Sequence, residues 1–99
     1  MSSNIIRNTR TFLNAVSDAG ASESVETDHR FKEVNERCYA GTLTTGDSIE
    51  VQVSFDNSTW FTYATVTDTS FTGLILGPWP YIRFNKVGTA GAATVVAQV

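Results

Sequence analysis

From Arg37 to the C-terminus, turn residues cut the chain into six short segments of strand-forming residues, and this punctuation limits the fold more than any other feature. The turn signals are Thr45-Gly46-Asp47, Asp56-Asn57-Ser58, Thr67-Asp68-Thr69, Gly77-Pro78 and Gly88 to Gly91. Gly supplies positive φ without steric cost, Asn and Asp tolerate it, and their side chains bond nearby backbone groups. Between the turns lie Arg37 to Leu43, Ser48 to Phe55, Thr59 to Val66, Ser70 to Leu76, Tyr81 to Val87 and Ala93 to Val99. Thr, Val, Ile and aromatic residues dominate these segments, as suits a pleated, half-buried surface. The pattern predicts an all-β protein, an antiparallel β-sandwich of jelly-roll-like kind. Strand order stays open, because sandwich, jelly roll and small barrel share this strand chemistry.

Alternation assigns faces. Ile49, Val51, Val53 and Phe55 fall on one side of their strand, with Glu50, Gln52 and Ser54 on the other. Ile82 and Phe84 are expected to face in while Arg83 and Asn85 face out, and Val95, Ala97 and Val99 share one side of the last strand. The first 36 residues differ in character. Five of the seven basic residues lie at or before position 37, and Asn14 to Val25 is small and polar. Ile5, Phe12, Leu13 and Val16 do not sustain a helical stripe, so the region reads as extended. Residues 1–36 are therefore expected to form an extended N-terminal arm with a possible edge strand in the charged stretch Val25 to Val34, and 37–99 the sandwich domain.

Two aromatic stretches stand out. In Val53-Ser54-Phe55-Asp56-Asn57-Ser58-Thr59-Trp60-Phe61, the turn residues in the middle predict a hairpin tip, with Phe55 facing in before it and Trp60 resuming the pattern after it. Asn57-Ser58-Thr59 also matches a glycosylation sequon, but Met1 to Asp18, its apolar residues broken by Arg, Asn and Thr, does not read as a secretory signal, so an unoccupied site is expected. In Gly77-Pro78-Trp79-Pro80-Tyr81, two prolines remove backbone donors, so the segment is an edge, corner or extended crossing and not a central strand. Trp79, held between them, has little freedom to lose on binding and is a candidate anchor for a partner.

Other chemistry is sparse. A formal charge of −3 disfavours a general nucleic-acid binder. No apolar stretch approaches the roughly 18 residues of a membrane helix. Cys38 is the only cysteine and His29 the only histidine, and neither shows metal-ligand spacing. The carboxylates Asp47, Glu50, Asp56 and Asp68 sit at turns or outward positions, where solvation accounts for them. Gly88 to Gly91 is a turn and not a phosphate loop, because no helix follows. The expectation is a protein that is not an enzyme and carries no cofactor or metal.

Read in order, Gly46 to Ser54, Ser54 and Asp56 with Trp60, Gly77-Pro78-Trp79-Pro80-Tyr81-Ile82-Arg83-Phe84 and the closing Thr94-Val95-Val96 resemble small β-sandwich virion structural proteins of tailed bacteriophages. The resemblance covers residues 38 to 99. It implies a virion protein, made in the host cytoplasm, that decorates or cements a capsid. Its partners would be the major capsid protein and itself, as a homotrimer, with no nucleic acid and no membrane involved. Ile5, Arg7, Arg10, Phe12, Trp79 and Tyr81 are the partner-contact candidates, the arm's basic residues meeting an acidic capsid surface. The alternative is a carbohydrate-binding module or tail or fibre adhesin domain that stacks sugars on Trp60, Trp79 and Tyr81.

Overall fold

The computed structural model describes residues 9–27 and 36–99. The expectations for Ile5, Arg7 and His29 fall outside the described residues. The strands are β1 (Thr9–Val16), β2 (Gly20–Ala21), β3 (Val25–Glu26), β4 (Glu36–Thr42), β5 (Ser48–Ser54), β6 (Phe61–Val66), β7 (Ser70–Leu76), β8 (Tyr81–Val87) and β9 (Ala93–Gln98). The last six match the segments expected between turn signals to within two residues at each end.

The pairing is nested. β5 pairs with β6, β4 with β7, β2 and β3 with β8, and β1 with β9, every pair antiparallel. The chain is thus one long hairpin whose tip is the stretch from Phe55 to Trp60. Rolling that hairpin brings β8 beside β5 and β9 beside β4. One sheet has the order β1-β9-β4-β7, and the other β2-β8-β5-β6 with β3 also on β8. Two facing antiparallel sheets connected in this way form a jelly roll.

The N-terminal region departs from expectation. Residues 9–27 are extended, but they belong to the sandwich and do not form an arm beside it. β1 completes the first sheet along β9, and β2 and β3 cover the edge of β8. The apolar content of β1 explains this, since Leu13 is buried and Phe12 packs against the core. The edge strand expected between Val25 and Val34 is present as β3, limited to two residues within the described part.

The core follows the alternation. Ile49, Val51, Val53, Ile82, Phe84, Val95 and Ala97 are all removed from water. Its centre is a run of rings: Phe12 meets Phe84 edge-on at 4.9 Å, Phe84 meets Tyr39 at 5.7 Å, and Tyr39 meets Phe71 at 6.2 Å. Glycine makes room for them. A Cβ on Gly41 would strike the Thr94 carbonyl and the Phe71 ring, and one on Gly73 would strike the Tyr39 ring. Phe55 is the exception to the expected pattern. It lies beyond the end of β5 and is 65% exposed.

Candidate functional site

The hairpin tip is built by two short side chains. The Ser54 hydroxyl, fully buried, donates to the Thr59 carbonyl at 2.6 Å and accepts from the N–H groups of Asp56 and Asn57 at 3.2 and 3.0 Å. Asp56 Oδ1 accepts from the N–H groups of Ser58 and Thr59 at 2.9 and 2.8 Å. Those donors, Thr59 first, hold the Asp56 carboxyl below its ordinary value. Asn57 takes the left-handed conformation at φ 62°, as the turn chemistry anticipated. The tip is therefore rigid, and it projects Phe55 from one end and Trp60-Phe61 from the other.

The β7–β8 connection meets this tip. Its prolines take away donors, so three carbonyls need partners from elsewhere. The Leu76 carbonyl accepts from the Trp79 indole at 3.0 Å, the Trp79 carbonyl from the Thr27 hydroxyl at 2.7 Å, and the Pro80 carbonyl from the Thr27 N–H at 2.9 Å. Thr27, just after β3, is buried and fastens the segment from the N-terminal side. Gly77 turns the chain at φ 109°, with the indole packed over it.

Trp79 is thereby fixed against Phe55, ring centroids 4.9 Å apart and tilted by 35°. Phe55 in turn meets Phe61 at 6.3 Å. Phe61 and Leu76 are each 49% exposed, so this end of the sandwich presents aromatic and aliphatic surface in a set geometry. Large apolar side chains gathered on a surface mark interaction sites. They can be desolvated here with little ordering cost, because Trp79 is already bonded and packed.

The other expected residues lie elsewhere. Arg10 is exposed on the edge strand β1, where it pairs with Ala97. Phe12 is spent on the core against Phe84. Tyr81 opens β8 between Glu26 and Ser54. Trp60 lies under the Arg83 guanidinium, 4.2 Å from its ring centroid, and among the described residues no ring contact joins it to Trp79. Arg83 Nε donates to Gln52 at 2.6 Å, and Asn85 donates to Glu50 at 2.7 Å, giving a row of planar polar groups on the outer face of the second sheet.

Sequence reasoning missed Phe55 and Phe61, because strict alternation carried Phe55 inward one residue too far. It also missed the environment of Asp47, which is buried and bonded to Lys86 and not solvated. Among the described residues no group of His, Cys, Asp and Glu side chains could hold a metal ion, and no helix is long and apolar enough to cross a membrane.

No protein-family model and no curated protein matches this chain. Among solved structures it is similar to the crystal structure of SPBc2 prophage-derived protein YomS, with a TM-score of 0.80 at 14% identity, over 100% of this chain and 97% of that one. At that identity the likeness is one of fold, and the two proteins share the rolled antiparallel sandwich from end to end.

Proposed function

We propose that this protein is a non-enzymatic structural protein of a tailed-bacteriophage virion, which decorates or cements the capsid by docking its aromatic end on the major capsid protein. The fold supports a phage origin, since the similar solved structure is prophage-derived. The observation that carries the docking role is the fixed Phe55–Trp79–Phe61 cluster, aromatic surface held in place by its own backbone bonds. On this reading copies gather as homotrimers on the shell. The test is co-sedimentation of the purified protein with empty capsids of the phage that encodes it. Binding that is lost in Phe55→Ser and Trp79→Ala supports the assignment. Equal binding by wild type and both variants rejects the aromatic end as the contact.

One observation favours a second reading, a sugar-binding adhesin domain. Trp60 adjoins the row formed by Arg83, Gln52, Glu50 and Asn85, which offers both donors and acceptors beside an aromatic ring. Saturable tryptophan fluorescence change with bacterial polysaccharide fragments, abolished by Trp60→Ala, would favour it over the capsid role.

A further inference from the structure

Among the described residues the two sheets have four edges, and three of them are guarded against pairing with another chain. β1 carries register shifts between Thr11 and Leu13 and between Leu13 and Val16, the charged Arg10, and Ala15 at φ 52°. The edge beside β8 is split into β2 and β3, of two residues each. β6 is shifted opposite Val51 and Gln52, where Tyr63 stands out of the ladder. Bulges, breaks and charges are the ordinary means of blocking edge-to-edge association.

β7 has none of them. It runs in unbroken register from Ser70 to Leu76 against β4 and contains no charged residue and no proline. Its outward side chains include Leu74 and Leu76, 46% and 49% exposed. The Thr69 carbonyl accepts from Leu43 N–H, so the odd-numbered residues aim their backbone groups at β4. Alternation then turns the N–H and C=O groups of Ser70, Thr72 and Leu74 toward the open side. Leu76 follows the same rule, and its N–H donates to the Tyr63 hydroxyl at 3.0 Å. Tyr63 thus stoppers one end of the edge, and among the described residues nothing covers the rest.

The geometry points to β7 as a strand-pairing edge that takes β7 of a second copy, antiparallel, about a two-fold axis at Gly73. In that register Thr72 faces Leu74 of the other copy and Leu74 faces its Thr72, and each pair exchanges both backbone bonds. Three properties favour a second copy over a foreign strand. The register is its own complement, β7 has no charged residue to oppose its own copy at the contact, and the contact brings exposed leucines of both copies together. It also closes. Pairing consumes both β7 edges and leaves only guarded ones, so the product is a dimer and not a fibre. This contact is centred on Gly73 and uses none of Phe55, Phe61 and Trp79, and on a shell it would join copies of neighbouring trimers.

Amide hydrogen exchange on the full chain, followed by NMR from micromolar to millimolar concentration beside light-scattering mass, tests this directly. Thr72 and Leu74 amides should slow by roughly tenfold or more as a species of twice 10.8 kDa forms, while the Leu76 amide is protected throughout. Thr72→Pro and Leu74→Lys, both at outward positions, should keep the folded spectrum and abolish the dimer. A monomer at every concentration overturns the proposal. So does an oligomer, trimer included, in which the Thr72 and Leu74 amides stay fast, and that result leaves the capsid-docking assignment standing.

Discussion

Lys86 places its ammonium 3.0 Å from Asp47 Oδ2, with both side chains almost wholly withdrawn from water. The ammonium also donates to the Ser17 carbonyl at 3.0 Å and the Gly88 carbonyl at 2.6 Å, so its three protons are all used. Asp47 accepts in addition from the N–H groups of Ala90 and Gly91. The pair therefore clasps the β4–β5 turn, the β8–β9 turn and the start of the β1–β2 connection.

Acid should loosen this clasp. The Ala90 N–H, with Lys86 and the Gly91 N–H after it, holds the Asp47 carboxyl below its ordinary 3.8 despite the opposing effect of burial. A carboxyl that binds its proton less readily folded than unfolded contributes stability that is complete above the unfolded value. That contribution is lost as pH falls through the lowered folded value. Melting temperature measured against pH should fall steeply below about 3.8 and less steeply in Asp47→Asn. An identical acid limb in the variant would mean that the clasp does not govern acid stability.

The same pair yields a coupling experiment. Lys86→Met alone leaves a buried carboxylate without its cation, and Asp47→Asn alone leaves a buried ammonium without its anion. The double variant Asp47→Asn/Lys86→Met leaves neither charge. Its loss in denaturant midpoint should be clearly smaller than the sum of the two single losses. Additive losses would show that the two side chains do not act as a unit.

Ser54→Ala should cost about 0.5–1.5 kcal/mol in urea unfolding, because it removes the buried hydroxyl that bonds the N–H groups of Asp56 and Asn57 and the Thr59 carbonyl, which water can only partly replace. Asn57→Gly, at φ 62°, should be close to neutral, whereas Asn57→Val should destabilise through the β-branched side chain's aversion to that conformation. Equal stability of the Gly and Val variants would show that the tip does not depend on a left-handed residue.

Most of the fold was legible in the sequence, and particular residues show where legibility ended. Ile49-Glu50-Val51-Gln52-Val53 announces its buried face by alternation alone, and Asn57 announces its turn by its tolerance of positive φ. The nesting of β1 on β9 was not legible. It depends on which distant edge is free to accept Leu13, a property of the whole roll. Phe55 was misplaced because alternation does not tell where a strand stops; the chain leaves β5 after Ser54, whose hydroxyl starts the turn. Lys86 shares the inward phase of Ile82 and Phe84, yet an isolated reading of its charge places it in solvent. Only the positions of Asp47, Ser17 and Gly88 make its burial tenable.

Gly41→Ala should be among the most damaging small substitutions. Its Cβ meets the Thr94 carbonyl, which belongs to the adjoining strand and cannot withdraw without disturbing the β4–β9 ladder. Overpacking of this kind costs about 1–3 kcal/mol and occasionally more. Gly73→Ala instead meets the Tyr39 ring, a side chain, so adding Tyr39→Leu should recover part of its loss. Calorimetric melting of the single and double variants checks both. Failure of Tyr39→Leu to relieve Gly73→Ala would show that the strain at Gly73 has another source.

The aromatic end separates binding from stability. Phe55 is 65% exposed, so Phe55→Ser should change unfolding free energy by no more than about 0.5 kcal/mol. Trp79 is partly buried against the core and donates its indole N–H to Leu76, so Trp79→Ala should destabilise more, by about 1–3 kcal/mol. Capsid co-sedimentation nevertheless should fall for both, because both remove half of the same ring pair from the docking surface. Phe55→Ser is thus the decisive variant. A fully folded Phe55→Ser protein that binds shells as well as wild type would assign Trp79 to the sandwich alone.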